Sequence, residues 1–388
     1  MPASPQKRGQ QPFDYWLPVG PSNLTIRSGL TILAFAARNM GNWRHNTTGG
    51  HDLNTVQAMV VAALLAVSGA ASAATLEAVR DHGSLRCGIA DDMPGFSDST
   101  TVGVRRGFHI DYCRAVAAAV LGDQSAVELV PLSDKDRFQA LANGDVDLLS
   151  RHTVWTMSRD SELGLSFAVV TYYDGQGIMT RQELGVSSAI ELSGTPVCVQ
   201  AGTLSELALA RYFEANNMVY NPVLFEAWDE AVAAYASGRC GALTTDHSSL
   251  HTTRNSMDRR RDHLVLPEVI SRKPVGLVVR AGDETWRDIV KWVHYALLTA
   301  EALGVTSDNV AQQGDSSDQD IRHLLGLDGG FAASLGLDAG WAVAAIAAVG
   351  NYGEIFARNL GPDTALDIHR GLNNLWNQGG IQYAPPIR

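Results

Sequence analysis

From Leu85 onward the chain alternates short apolar runs with segments whose apolar residues recur at helical spacing. LRCGIA (85–90) is followed by IDYCRAVAAAVLG (110–122), VELVPL (127–132), KDRFQALANG (135–144) and VDLLS (146–150). The change of period from strand-like to helical and back predicts β-α-β-α-β, which implies a mostly parallel sheet with helices on its faces. Ser133 with Asp136 resembles a capping box at the start of the helix KDRFQALANG, and Asn143-Gly144 ends that helix. The same order returns in PVCVQ (196–200), LSELALARYFEANN (204–217), VLFEA (223–227), DEAVAAYASGRC (229–240) and GALTTD (241–246). Two similar lobes are therefore expected. AVVTYYDGQGIMTR (168–181) and LVLPEVISRKPVGLVVR (264–280) read as extended crossovers that join the lobes twice, an arrangement able to hinge over a ligand. Beyond Ile289, DIVKWVHYALLTAEALG predicts a helix returning to the first lobe. After a polar break, GDSSDQD (314–320), the stretch AGWAVAAIAAVGNYGEIFARNLG predicts one apolar helix docked on the lobes.

A length of 388 residues with 45% apolar content suits two or three compact units. The formal net charge of −11 and the absence of a basic face beyond Arg259-Arg260-Arg261, read as a solvated turn, argue against a nucleic-acid partner. Residues 56–73, VQAMVVAALLAVSGAASA, form an uncharged apolar run too short for a membrane span of about 20 residues. Its small-residue ending Ala71-Ser72-Ala73 reads as a secretory signal. The run begins far into the chain, so residues 1–73 are expected to be a start assigned too far upstream, with Met40 a candidate true start, plus a signal peptide; a retained signal anchor is the alternative. Cleavage would leave Ala74 as the first residue of an acidic, exported protein. All four cysteines, Cys87, Cys113, Cys198 and Cys240, lie beyond that point, and an even number in an exported chain favours disulfides. Three pairings are possible; spacing favours one bridge per lobe, Cys87–Cys113 and Cys198–Cys240. Zinc is the rival use of these cysteines, but no CxxC spacing supports it.

Three places carry candidate chemistry. SRHTVWTMSRD (150–160) crowds hydroxyls and guanidinium groups around one tryptophan after a strand, and Arg159 offers a planar two-pronged donor for a carboxylate. In VQAGTLSELALARYF, Thr203-x-x-Glu206 opens a helix whose free N–H groups can receive an anion. Asp246 stands at a strand C-terminus, where open α/β sheets bind ligands. An arginine for a carboxylate and an aspartate for an ammonium complement an α-amino acid. Either residue could equally form a plain surface ion pair. His247 and His251, spaced i, i+4, lack a third metal ligand nearby, so no metal is expected. No GxSxG, HExxH or GxxxxGK[ST] motif is present.

The segments TLEAVRDHGSLRCGI, IDYCRAVAAAVLGD, SRHTVWTMSRDSELGLSF, TYYDGQG, QAGTLSEL, TTDHSSL and the tail VGNYGEIFARNLG…LNNLWNQGGIQYAPPIR resemble the periplasmic general L-amino acid-binding proteins of ABC transporters, over residues 75–388. The resemblance implies an α/β, two-lobed type II periplasmic-binding-protein fold with a helical C-terminal extension. The expected divisions are residues 74–172 for the first part of lobe 1, 173–272 for lobe 2, 273–313 for the return to lobe 1 and 314–388 for the extension. It further implies a periplasmic monomer without a cofactor that captures L-amino acids and hands them to an ABC transporter permease. Arg159 would grip the α-carboxylate with help from the Thr203-Leu204 backbone, Asp246 would take the ammonium, and Met93 to Phe96 would form an apolar wall. Similar proteins carry SRNTTWT, so His152 and Val154 are departures within the ligand-binding stretch. The alternative is a periplasmic enzyme on the same fold, dehydratase-like and acting on a small carboxylate, with His152 as its acid or base.

Overall fold

The computed structural model describes residues 74–388 except 92 and 100–102; the candidate signal and everything before it lie outside the described residues. Helix α1 (Ala74–His82) leads into strand β1 (Leu85–Ile89), a two-strand ribbon of β2 (Asp98–Ser99) and β3 (Arg105–Arg106), and helix α2 (Phe108–Leu121). Then come β4 (Val127–Pro131), α3 (Arg137–Asn143), β5 (Leu148–Leu149), α4 (Met157–Glu162) and the long strand β6 (Leu165–Asp174). The chain crosses at Gly175 into β7 (Gln176–Arg181), followed by β8 (Val197–Gln200), α5 (Leu204–Ala215), β9 (Pro222–Phe225), α6 (Trp228–Ala236), β10 (Ala242–Asp246), α7 (His247–Ser256) and β11 (His263–Val265). It returns through β12 (Lys273–Arg280) to α8 (Glu284–Ala302), α9 (Gln319–Leu324), α10 (Trp341–Val349) and α11 (Tyr352–Asn359).

Two five-stranded sheets result, β4-β1-β5-β12-β6 and β11-β7-β10-β8-β9. The alternating strands pair in parallel as the pattern implied, but each sheet is mixed. β12 runs antiparallel to both β5 and β6, and β7 runs antiparallel to both β10 and β11. The reason is the double crossing: a strand that leaves one lobe for the other, or returns, arrives opposite in direction to strands made by β-α-β steps. Gly175, at the first crossing, is sterically required. A Cβ there would stand 2.1 Å from a Val269 methyl and 2.2 Å from the Ser271 carbonyl oxygen, on the returning segment.

Each lobe has its own apolar core. The larger one gathers Phe108, Tyr112, Tyr172, Trp286, Tyr352 and Phe356 with the helices that flank the first sheet. Smaller ones cover the two faces of the second sheet. The cysteines pair as Cys87–Cys113, joining β1 to α2, and Cys198–Cys240, joining β8 to the approach to β10. Among the described residues no helix is long and apolar enough to cross a membrane.

The expected single helix over 339–361 is two. Gly350 adopts φ 77° and stops α10; Asn351 then caps α11, its side chain accepting from the Glu354 N–H at 3.0 Å while the Glu354 carboxylate accepts from the Asn351 N–H at 2.8 Å. The capping reading at Ser133 also shifts: its Oγ accepts from the N–H groups of Lys135 and Asp136, and Asp136 precedes α3 without a side-chain cap. The C-terminal residues pack on the first lobe and also touch the second. Tyr352 Oη donates to Thr171 O (3.0 Å), the Asn373 amide brackets the Tyr173 backbone (2.6 and 3.0 Å), and Leu366 O receives His251 Nδ1 and Arg254 Nη2, both at 2.8 Å.

Candidate ligand cleft

Much of SRHTVWTMSRD is scaffold. Ser150 Oγ donates to His109 O (2.7 Å), and Arg151 is buried, donating to Leu132 O (2.6 Å), Ser133 O (3.0 Å) and the Asp134 carboxylate (2.6 Å). Trp155 stacks on Phe167 at 5.1 Å, and its N–H donates to Pro274 O on the returning strand at 2.7 Å. The segment is therefore pinned to both crossings before Thr156 opens α4 by accepting the Arg159 N–H.

Arg159 is half-buried. Its Nη1 donates to Val154 O at 2.8 Å, and its guanidinium lies 5.6 Å from the Phe138 ring centre. Among the described residues it pairs with no carboxylate. Asp134 is engaged by Arg137 and Arg151 instead. Burial, then the neighbouring guanidinium groups of Arg151 and Arg159, hold Arg137 down at about 10. Arg137 and Arg151 thus share the Asp134 carboxylate, while Arg159, a neighbour of Arg137, has no carboxylate partner among the described residues. Burial lowers its own pKa, since desolvation disfavours the charged form.

His152 and Asp246 meet at the crossings in company that sequence reasoning did not supply. His152 Nε2 is 3.0 Å from Asp174 Oδ2, at the end of β6. Asp174 is buried and also accepts from Gly175 N (2.8 Å), Ser248 N (3.3 Å) and Ser248 Oγ (2.5 Å). Burial pushes its pKa up, but His152 first, then Ser248 and the Gly175 N–H, outweigh that and leave it below the usual aspartate value. Asp246, at the end of β10, forms an ion pair with Lys273, the first residue of β12; both side chains are mostly buried. One ligand-type atom each from His152, Asp174 and Asp246 lie within 4.8 Å of one another, a spacing open to a metal ion, but the Lys273 ammonium already occupies the cationic role beside Asp246.

The other expected residues fall around this centre. Thr203 caps α5, accepting from Glu206 N (3.3 Å) and donating to Gln200 O (2.7 Å), while the Glu206 carboxylate receives the Gly202 N–H (2.7 Å). Leu204 is exposed. The buried Gln176 amide ties the opening turn of α5 to the crossing, donating to Ser205 O and Thr244 Oγ1, both at 2.8 Å. Hydrogen bonds and ion pairs connect neither Arg159 nor Thr203 to the His152–Asp174–Asp246 group. Met93 is half-buried and closes a turn with Ser97. Phe96 is fully buried, its ring edge-on to His152 (5.4 Å) and Tyr172 (5.3 Å). It packs beneath His152, in the stretch from which an apolar wall was expected. The His247 and His251 rings lie 4.8 Å apart, but the His251 Nδ1 is committed to Leu366 O.

The missed residues are Asp174, Ser248 and Lys273. Asp174 carries a signal after the fact: an aspartate followed by glycine at the point where a strand changes lobe. Lys273 carries none, since its partner is set by the sheet register that places it opposite Asp174.

Residues 85–308 match the model of the bacterial extracellular solute-binding proteins, family 3. The general L-amino acid-binding periplasmic protein AapJ of Rhizobium johnstonii is 50% identical over 336 residues, covering 86% of this chain and 98% of that protein. The glutamate/glutamine/aspartate/asparagine-binding protein BztA of Rhodobacter capsulatus is 49% identical over 329 residues, covering 84% and 97%. A solved structure described as an ABC transporter / periplasmic binding protein from Brucella ovis with glutathione bound is 51% identical, covers 81% of this chain and 99% of its own, and superposes with a TM-score of 0.72. These are solute-binding proteins, not enzymes, which answers the dehydratase-like alternative. With its two mixed sheets, its double crossing and half-identical relatives matched over nearly their whole length, the chain belongs to the bacterial extracellular solute-binding proteins of family 3.

Proposed function

We propose that this is a periplasmic solute-binding protein that captures L-amino acids between its lobes and delivers them to an ABC permease. The observation that carries this reading is a guanidinium without a carboxylate partner among the described residues, Arg159 on the first lobe, together with a carboxylate, Asp246, at the C-terminal end of β10 in the second. An α-amino acid presents the opposite charges on two groups that share one carbon. Arg159 takes the carboxylate through its two-pronged donor, aided by the N–H groups at Thr203-Leu204, and Asp246 takes the ammonium. Residues 173–272 then move as one lobe, turning about Gly175 and the 266–272 segment to close over the ligand. His152 with Asp174 and Ser248 acts as the latch, because it joins the segment after β5 to the start of α7.

A second reading rests on the Brucella ovis relative, whose structure is described with glutathione bound. The γ-glutamyl end of glutathione is itself an α-amino acid, so the same two residues would hold it, the remainder of the peptide extending along the cleft. Calorimetric titration with a panel of amino acids and with glutathione tests both. Binding of any panel member that survives Arg159→Ala at full strength contradicts the site assignment.

A further inference from the structure

Asp246 already has a counter-ion. Lys273 stands at the first position of β12, and its ammonium pairs with the Asp246 carboxylate; the two side chains are 16% and 22% exposed. Among the described residues Lys273 makes its ion pair with Asp246 alone. Asp174, its neighbour across the β6–β12 pairing, accepts four donors, from His152, Gly175 and twice from Ser248, which fills the roughly four acceptor positions of a carboxylate. Lys273 therefore stays with Asp246.

This changes what the cleft rejects. A site whose carboxylate depends on the ligand for its cation discriminates strongly against analogues without an ammonium, because they leave a desolvated charge unpaired. With Lys273 in place, an analogue that lacks the ammonium strands no charge. We propose that Lys273 serves as an internal stand-in for the ligand's ammonium and so extends the ligand class to small carboxylates without an α-amino group, 2-oxo acids in particular. The proposal rests on the amino-acid reading above, since it assigns Arg159 to the carboxylate that both ligand classes share. The ammonium of an amino acid inserts beside Asp246 and shares it with Lys273; a 2-oxo acid simply leaves the ion pair as it is.

The test compares the full chain and its Lys273→Met and Lys273→Gln variants by calorimetry, with L-glutamate against 2-oxoglutarate and L-leucine against 4-methyl-2-oxopentanoate. The expected parent binds the oxo acid within tenfold of its amino acid in at least one pair. Each Lys273 variant widens that ratio at least tenfold, because Asp246 then lacks a cation unless the ligand brings one. Adding Asp246→Asn to Lys273→Met returns the ratio towards the parent's, which separates the charge effect from loss of fold. A parent that prefers the amino acid by more than tenfold in both pairs, or a ratio unmoved by both Lys273 variants, overturns the proposal and leaves the amino-acid reading intact. A folded parent that binds no amino acid overturns that reading instead.

Discussion

The two disulfides support a quantitative prediction about how stability is divided between the lobes. Cys87 and Cys113 are separated by 26 positions, Cys198 and Cys240 by 42. If each bridge acts by removing loop-closure entropy from the unfolded chain, these separations correspond to about 3.5 and about 4 kcal/mol respectively near room temperature. Both bridges lie in cores: all four residues are fully buried, and the first joins the large aromatic cluster while Cys198 and Cys240 sit in a core on the second sheet. Alanine pairs are the cleaner perturbation, because serine would bury new hydroxyls without partners. The Cys198→Ala/Cys240→Ala variant should lower the unfolding free energy of the second lobe by a few kcal/mol. Amides of β8 and β10 should exchange faster while those of β1 and α2 keep their protection. The Cys87→Ala/Cys113→Ala variant should show the converse. Urea unfolding supplies the magnitudes and native-state hydrogen exchange the location. A loss below about 1 kcal/mol for either pair would refute the entropic argument, and equal loosening of both lobes by one pair would refute the division of the fold into separate cores.

Further outcomes follow from the cleft and its surroundings. Arg159→Ala should lose roughly 2–5 kcal/mol of amino-acid binding, about 30-fold or more, with little change in Tm, and Arg159→Lys should recover only part of it because an ammonium lacks the planar fork. Asp246→Asn should weaken α-amino acids more than the matching 2-hydroxy or 2-oxo acids in the same titrations. Val154→Thr should change binding little: the Val154 side chain packs against the first-lobe core and its carbonyl, not its side chain, holds Arg159. Acid should destabilise the fold through His294 and His251, which burial holds neutral with pKa values of about 3 against an ordinary 6.5. The unfolded chain binds those protons and the folded chain does not, so their contribution is intact above pH 6.5 and falls as pH drops towards 3; at pH 5 each costs about 2 kcal/mol. His294→Gln, which replaces a ring bonded to Tyr112 Oη at 2.7 Å, should flatten the pH dependence of the urea midpoint between about pH 6.5 and 4 relative to the parent, and parallel curves would contradict this.

The sequence made the alternation of strands and helices legible because each element announces its own period, and the strands fell where the runs lay. Cysteine pairing was legible for the same local reason, each pair closing within one β-α-β block. What the pattern could not convey was direction. The crossing strands β7 and β12 look like any other apolar runs, and their antiparallel placement depends on which lobe the chain has left. The break at Gly350 was obscured because α10 is apolar all round and runs without a polar gap into the Asn351 cap. The centre of the candidate cleft was half visible. Asp246 and His152 stood out by position, but their partners did not: His152 meets Asp174 across 22 residues and Asp246 meets Lys273 across 27, contacts made by sheet register and by the apposition of two lobes. Phe96, expected at an apolar wall, packs into the aromatic core below His152 beside the turn closed by Met93 and Ser97.

The central claim, that Arg159 and Asp246 together hold an α-amino acid between the lobes, is tested most directly by calorimetric titration of the purified chain with the common L-amino acids and glutathione, repeated on Arg159→Ala. The account predicts one-to-one binding at about micromolar strength or tighter for at least one of them, reduced about 30-fold or more by the substitution in a protein that unfolds at the parent's temperature. A parent that is folded and shows neither heat nor thermal stabilisation with any of these ligands, or an Arg159→Ala variant that binds as the parent does, would contradict it.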